Sequence, residues 1–330
     1  SEMCIRDRLY ILQQMKGKKI MLKGKISLWN RSGIFSSMLA LLLCIAMCFE
    51  CVPFYTVAAE ETEETGTYKT KAISWLVGEK DDVSGWGDTD LINDTANALT
   101  ILGREGKPTD STFLEKWKGS HKDMNTDEMV HIARAEYMSA DSKEAESLLS
   151  DIMSRQNPDG GFGLTEEYES DVYDTVLALS AVCAQAVATP TDATADYSNA
   201  AGDAAFYLAG KQKSDGGYAY TDASDSSPYL TAYAGMILSM CGCDDLPAWT
   251  ALDAYCQDRF TGELSEDTFA EQAVLAMYMY RRELIQDADA FEEKLHSVQG
   301  SDGSVYGDIT DTIWYILLLD EIDSYHTLRL

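Results

Sequence analysis

The sequence predicts an all-α protein: an (α/α)6 toroid of six helical hairpins, with an inner and an outer helix ring. Three observations carry this. A Gln-x-x-Asp-Gly-Gly-aromatic signature recurs, an amphipathic segment precedes each copy, and a segment apolar on nearly every side follows it. The best copies are Gln156-Asn-Pro-Asp159-Gly160-Gly161-Phe162, Gln212-Lys-Ser-Asp215-Gly216-Gly217-Tyr218 and Gln299-Gly-Ser-Asp302-Gly303-Ser304. The spacing of the second and third leaves room for a worn copy, which Gln257 and Phe260-Thr261-Gly262-Glu263-Leu264 supply. Gly85-Trp86-Gly87-Asp88 reads as a further copy without its Gln, and a degenerate unit fits near Lys122–Asn125. A period of this size marks a repeat architecture.

Each element has its own justification. In Lys143–Gln156 the apolar Leu148, Leu149, Ile152 and Met153 recur at helical spacing among polar residues, the pattern of a helix lying on a core. Thr175–Ala184 and Thr312–Leu319 are apolar all round and must be buried. Six helices of each kind suggest concentric rings whose chain ends meet, so that no open edge needs capping; an open helical solenoid is the alternative. Within the signature, Asp and Gly end a helix and reverse the chain. The Gln amide can tie that reversal to backbone groups left free at a neighbouring helix end. Asp94-Thr95, Asp174-Thr175, Asp267-Thr268 and Asp311-Thr312 stand where inner helices begin, suited to capping and to the positive helix end. In a toroid those ends would ring the mouth of the central cavity.

Charge divides the chain. The 330 residues carry 26 Lys and Arg against 55 Asp and Glu, a formal charge of −29. Residues 1–59 are basic by 8 to 3, and residues 60–330 are acidic by 52 to 18. Lys16, Lys18, Lys19, Lys23, Lys25 and Arg31 precede an apolar run from Ile34 to Phe49, and Val57-Ala58-Ala59 supplies small residues before Glu60. This is the order of a secretory signal, so residues 1–59 are read as a leader, with residues 1–14 a candidate assembly scar. The expectation is a secreted or cell-surface protein, touching a membrane only through an uncleaved leader. An acidic linker, 60–67, then leads to the toroid, 68–330. The acidity excludes nucleic acid as a partner. Cys183, Cys241, Cys243 and Cys256 remain after the leader, and their number permits disulfides or buried free thiols.

The repeats resemble those of the prenyltransferase/squalene-cyclase superfamily, over roughly residues 68–325. The resemblance implies an α/α toroid. It leaves function open, because the superfamily holds terpene cyclases, protein prenyltransferase subunits, cobalamin carriers and complement-like thioester domains. The motifs of each branch are incomplete here. Squalene-type cyclases use Asp-x-Asp-Asp to make a strong acid; the nearest runs are Asp171-Val-Tyr-Asp174 and Asp308-Ile-Thr-Asp311. Neither Asp81-Asp82 nor Asp244-Asp245 completes a magnesium cluster. Asp323-Ser-Tyr325-His326-Thr327 is similar to a prenyltransferase zinc segment, but Asp253-Ala-Tyr-Cys256 has the wrong spacing for its partner. Cys241-Gly-Cys-Asp is not the thioester sequence. No glycine-centred calcium loop surrounds Asp88, Asp90 and Asp94.

The sequence therefore points first to a non-catalytic toroid without metal or cofactor. Its expected ligand is an apolar or cobalamin-like molecule, or its partner an extracellular protein. Tyr229, Tyr233, Tyr278, Trp314 and Tyr315 lie on predicted inner helices as candidate lining of the cavity. The alternative is a terpene cyclase-like enzyme with a rearranged acid, for which Asp171, Asp174 and Asp311 are the candidates.

Overall fold

The computed structural model describes residues 63–87, 91–108, 112–118, 123–139, 142–188, 194–243 and 246–328. The leader and its cleavage site lie outside them, as do Asp88, Asp90, Asp244 and Asp245. Twelve helices and no strand are present among the described residues. In chain order they are α1 (Glu63–Gly78), α2 (Leu91–Arg104), α3 (Thr112–Trp117), α4 (Thr126–Met138), α5 (Ser142–Ser154) and α6 (Val172–Ala188). There follow α7 (Thr194–Lys211), α8 (Pro228–Met240), α9 (Trp249–Arg259), α10 (Phe269–Arg281), α11 (Ala288–Ser297) and α12 (Ile309–Thr327). Helix α1 starts at Glu63, so the end of the segment read as a linker is helical.

The even-numbered helices form a closed ring. Helix α2 packs on α4, α4 on α6, α6 on α8, α8 on α10, α10 on α12, and α12 returns to α2. This is the (α/α)6 toroid, with the odd-numbered helices outside. Burial follows the patterning. Helix α8 is buried without interruption from Leu230 to Leu238, whereas outer helix α11 buries only Phe291 and Leu295. Between inner neighbours α8 and α10 the approach is close: a Cβ on Gly235 would stand 2.6 Å from the Tyr278 ring.

The signature joins one unit to the next. Gln156 Nε2 donates to Gly160 O in its own turn (2.9 Å) and to Ala200 O of α7 (2.8 Å). Gln212 repeats this with Gly216 O (3.0 Å), and its Oε1 accepts from Ala248 N, the cap of α9 (2.8 Å). Gln299 does the same with Gly303 O and Tyr68 O of α1 (both 2.9 Å), so the last unit is tied to the first. The first glycine of each turn touches the same outer helix. Gly216 has φ +90°, and a Cβ there would lie 2.2 Å from Ala251 O. Only glycine fits both the backbone angle and the space.

The Thr at the start of an inner helix completes the joint. Thr95, Thr175, Thr231 and Thr312 accept hydrogen bonds from the backbone N–H of Trp86, Phe162, Tyr218 and Val305, at 3.0, 2.9, 2.8 and 3.0 Å. Two expectations need correction. Thr268 is the N-cap of α10, and the position four residues on, equivalent to those Thr, is Gln272. The Gln272 side chain accepts from Thr261 N (3.0 Å) and Gly262 N (3.3 Å). The worn turn at 260–264 is thus held from the inner helix, and Gln257 is exposed on α9. A long amide reaches across where a short hydroxyl does elsewhere.

Candidate functional site

The inner helices begin on one face of the ring, and their first turns bring polar groups together. On α4, Asp127, His131 and Arg134 follow at i, i+4 and i+7, one face of a helix. Asp127 accepts from Asn93 Nδ2 of α2 (2.8 Å) and pairs with His131 Nε2 (3.1 Å). Burial alone would raise its pKa, but His131, Asn93 and Arg134 together hold it below the ordinary value. Arg134 donates to Ser180 Oγ of α6 and to Tyr233 OH of α8 (3.4 Å). Helices α4 and α8 are not ring neighbours, so that contact crosses the lumen.

Aromatic rings cross it too. The Trp314 ring of α12 meets Tyr229 and Tyr233 of α8 edge-on, with centroids 6.0 and 6.3 Å away. Tyr229 and Tyr233 are themselves 6.1 Å apart. Helix α10 separates α8 from α12 in the ring, so these side chains meet inside it, past α10. Trp314 and Tyr229 nevertheless stay half-buried. Tyr173 of α6 pairs with Tyr220, on the turn leading into α8, at 5.9 Å.

Two of the five expected lining residues point elsewhere. Tyr278 is fully buried and turned outward, its OH donating to Asp253 of outer helix α9 (2.5 Å). Tyr315 is fully buried at the side of α12, 6.5 Å from Phe269 of α10. A helix buried on every side gives no pattern that separates lumen from flank. The residues weighed for zinc are also engaged away from the lumen: Asp253 pairs with Arg282 (3.1 Å), and His326 with Glu292 of α11 (2.9 Å). Among the described residues no group of three or more His, Cys, Asp or Glu is placed to hold a metal ion. Cys183, Cys241, Cys243 and Cys256 are buried free thiols. No helix among the described residues is long and apolar enough to cross a membrane.

The candidate acids lie at the mouth. Asp171 Oδ1 accepts from Asp174 N (2.9 Å) at the start of α6, and Asp308 does so for Asp311 N (2.8 Å) on α12. Asp174 is 3% exposed, and its Oδ1 has no hydrogen-bond partner among the described residues. Burial, then a hydrogen bond to the Asp171 carboxylate and the charges of Asp171 and Asp127, push its pKa up to about 8. Asp311 is pushed up to about 7, by burial and by the charges of Asp308 and Glu266. At neutral pH Asp174 therefore keeps its proton. The sequence offered Asp171, Asp174 and Asp311 but passed over Asp127, His131 and Arg134. Their signal was a polar i, i+4, i+7 row on a helix expected to be apolar.

Neither a protein-family model nor a curated protein matches the sequence. Solved structures do. A type II terpene cyclase from Scytonema, MstE, in a tyrosine-to-phenylalanine variant without ligand, matches with a TM-score of 0.58 at 14% identity. The match covers 79% of this chain and 97% of that one. An arginine-to-alanine variant of MstE, in complex with its substrate geranylgeranyl dihydroxybenzoate, matches with a TM-score of 0.54 at 14% identity, over 79% and 98%. The chain has the terpenoid-cyclase-like α/α toroid fold. At this identity the likeness is one of fold, and the toroid's chemistry rests on its own side chains.

Proposed function

We propose that the toroid is an exported, non-catalytic receptor that binds an apolar or cobalamin-like small molecule on the aromatic cluster of its lumen. The observation that carries this reading is the meeting of Tyr229, Tyr233 and Trp314 inside the ring, with Trp314 and Tyr229 keeping accessible surface. Such rings supply large apolar contact, and Arg134 and Tyr233 OH add a few polar groups to orient a ligand. A thermal-shift panel of a polyprenol, a triterpene, a corrinoid and a glycan tests it. A ligand at about one hundred times its Kd adds about 2.7 kcal/mol, a rise of several degrees. One class should give that rise and lose it in Trp314→Ala. No shift with any class sinks the reading.

The second reading is a terpene cyclase-like enzyme, favoured by the proton on Asp174 and its unpaired oxygen. The same number argues against it. Protonating an alkene needs a strong acid, and a carboxyl raised to about 8 is a weaker donor than an ordinary one. Incubation with squalene and with geranylgeranyl dihydroxybenzoate decides between the two. A cyclised product that disappears in Asp174→Asn would establish the enzyme and remove the receptor reading.

A further inference from the structure

The turns that lead into the inner helices all open on one face of the barrel, and their composition is one-sided. Residues 81–87, 91–94, 123–128, 162–174, 218–227, 260–271 and 302–311 carry 20 Asp or Glu and no Lys, Arg or His of their own. The basic groups that reach these turns come from neighbouring segments and are fewer: Lys80 at Asp82, His131 at Asp127, Lys211 at Asp222, and Lys116, Arg155, Lys213 and Lys294 at backbone carbonyls. The opposite face, where inner helices end, is mixed. There Arg104 pairs with Asp320, Arg281 with Glu321 and Arg282 with Asp253. Capping accounts for part of the acidity at the mouth, since Asp171, Asp308 and Glu128 accept backbone N–H bonds. It does not reach Glu166, Glu167, Glu169, Asp225, Glu263, Glu266 and Asp267, which stand exposed on the loops. Crowding like charges on one face works against the folded state, so the pattern calls for a compensating partner.

Two further features point to what that partner carries. Tyr168, Tyr220 and Tyr306 on these turns are 57, 46 and 36% exposed, flat rings standing among carboxylates. Below them, Asp174 is 3% exposed with one oxygen unpaired among the described residues, facing Asp171 just before its helix and Asp127 on α4. The proton it keeps is shared with the Asp171 carboxylate, so the other oxygen, without a partner among the described residues, remains an acceptor for a donor from outside.

We propose that this face of the barrel docks an arginine- and lysine-rich segment of a protein partner. Arginine suits all three features. Its guanidinium stacks on tyrosine faces, pairs with two carboxylate oxygens at once and stays charged when desolvated. Tyr220 pairs with Tyr173, the residue beside Asp174, so a guanidinium directed at Asp174 passes a tyrosine face. Acids on six turns suit an extended polycation better than a single amine. The proposal is independent of what the lumen binds.

Fluorescence anisotropy with labelled nona-arginine and nona-lysine peptides at physiological salt tests it. The expected result is saturable one-to-one binding, tighter for arginine than for lysine. Asp171→Asn with Asp174→Asn should weaken nona-arginine at least tenfold. Glu146→Gln with Glu293→Gln, which removes at least as much charge from exposed positions of outer helices, should weaken it less than twofold. Tyr168→Ala with Tyr220→Ala, at exposed positions that leave the core intact, should abolish the preference for arginine. Equal losses in the two acid pairs would reduce the effect to net charge and overturn the proposal. So would binding without saturation, or an arginine preference that survives loss of both tyrosines.

Discussion

Asp174 and Asp311 hold protons that the unfolded chain would release. Both start from an ordinary value of 3.8 and rise to about 8 and about 7 in the folded protein. Between those limits the native state binds more protons than the unfolded one, so stability falls as pH rises. The contribution is complete below about pH 4 and is lost as pH climbs through 7 to 8. The groups facing Asp174 are Asp171, just before α6, and Asp127 on α4, and both oppose its ionisation. Asp174→Asn keeps the shape and removes the charge. It should flatten the pH dependence and at pH 9 make the variant more stable than the parent. Thermal melts from pH 4 to 9 check this; a variant less stable than the parent at pH 9 would contradict the assignment. The candidate acids could be read from Asp-x-x-Asp spacing, because N-capping and the helix turn place such pairs together. That Asp174 would be the more strongly perturbed could not, since its environment includes Asp127, which lies 47 positions earlier on another helix.

At the level of elements, the turns were the most legible part of the chain. Gln-x-x-Asp-Gly-Gly-aromatic does a backbone task, and such a task has few chemical solutions. Gly160, Gly216 and Gly303 all have positive φ and all press on the backbone of the next outer helix. Gly216→Ala should therefore cost on the order of 3 kcal/mol or more, from strain at φ +90° and from collision with Ala251 O. Gly202→Ala is a fitting control, because a Cβ there meets nothing within 4 Å; in urea unfolding it should be neutral or stabilising. A small effect at Gly216 would mean that the turn is not rigid. Side-chain direction on the inner helices was the least legible feature. Tyr233 and Tyr278 sit in equally apolar surroundings, yet one meets Trp314 across the lumen and the other bonds Asp253 outside the ring. When every face of a helix is buried, hydrophobic periodicity carries no direction. The substitution of Gln272 for Thr was hidden for another reason: it moves the bond from one residue type and reach to another.

For the whole molecule, ring closure depends on polar contacts between the first and last units. Lys69 of α1, 7% exposed, pairs with Asp320 (2.7 Å) and Glu105 (2.9 Å), and Arg104 shares Asp320. Asp320→Ala would leave two cations in this partly buried seam with one carboxylate, at a cost of about 3 kcal/mol by equilibrium denaturation. A loss under about 1 kcal/mol, the size of an exposed pair, would show that the seam is wetter than its burial suggests. The bond from Gln299 to Tyr68 spans 231 positions of sequence. Repeat arrays ordinarily grow by adding each unit to its neighbour, but a ring has one junction that no neighbour addition can make. Its two halves are α1 and α12, the first and last of the described helices. Until α12 emerges, α2 lacks its ring neighbour on one side, and the growing chain holds an unmated apolar edge. Assembly of the toroid is thus gated by α12: without that helix the ring lacks both a lumen wall and the clasp for α1.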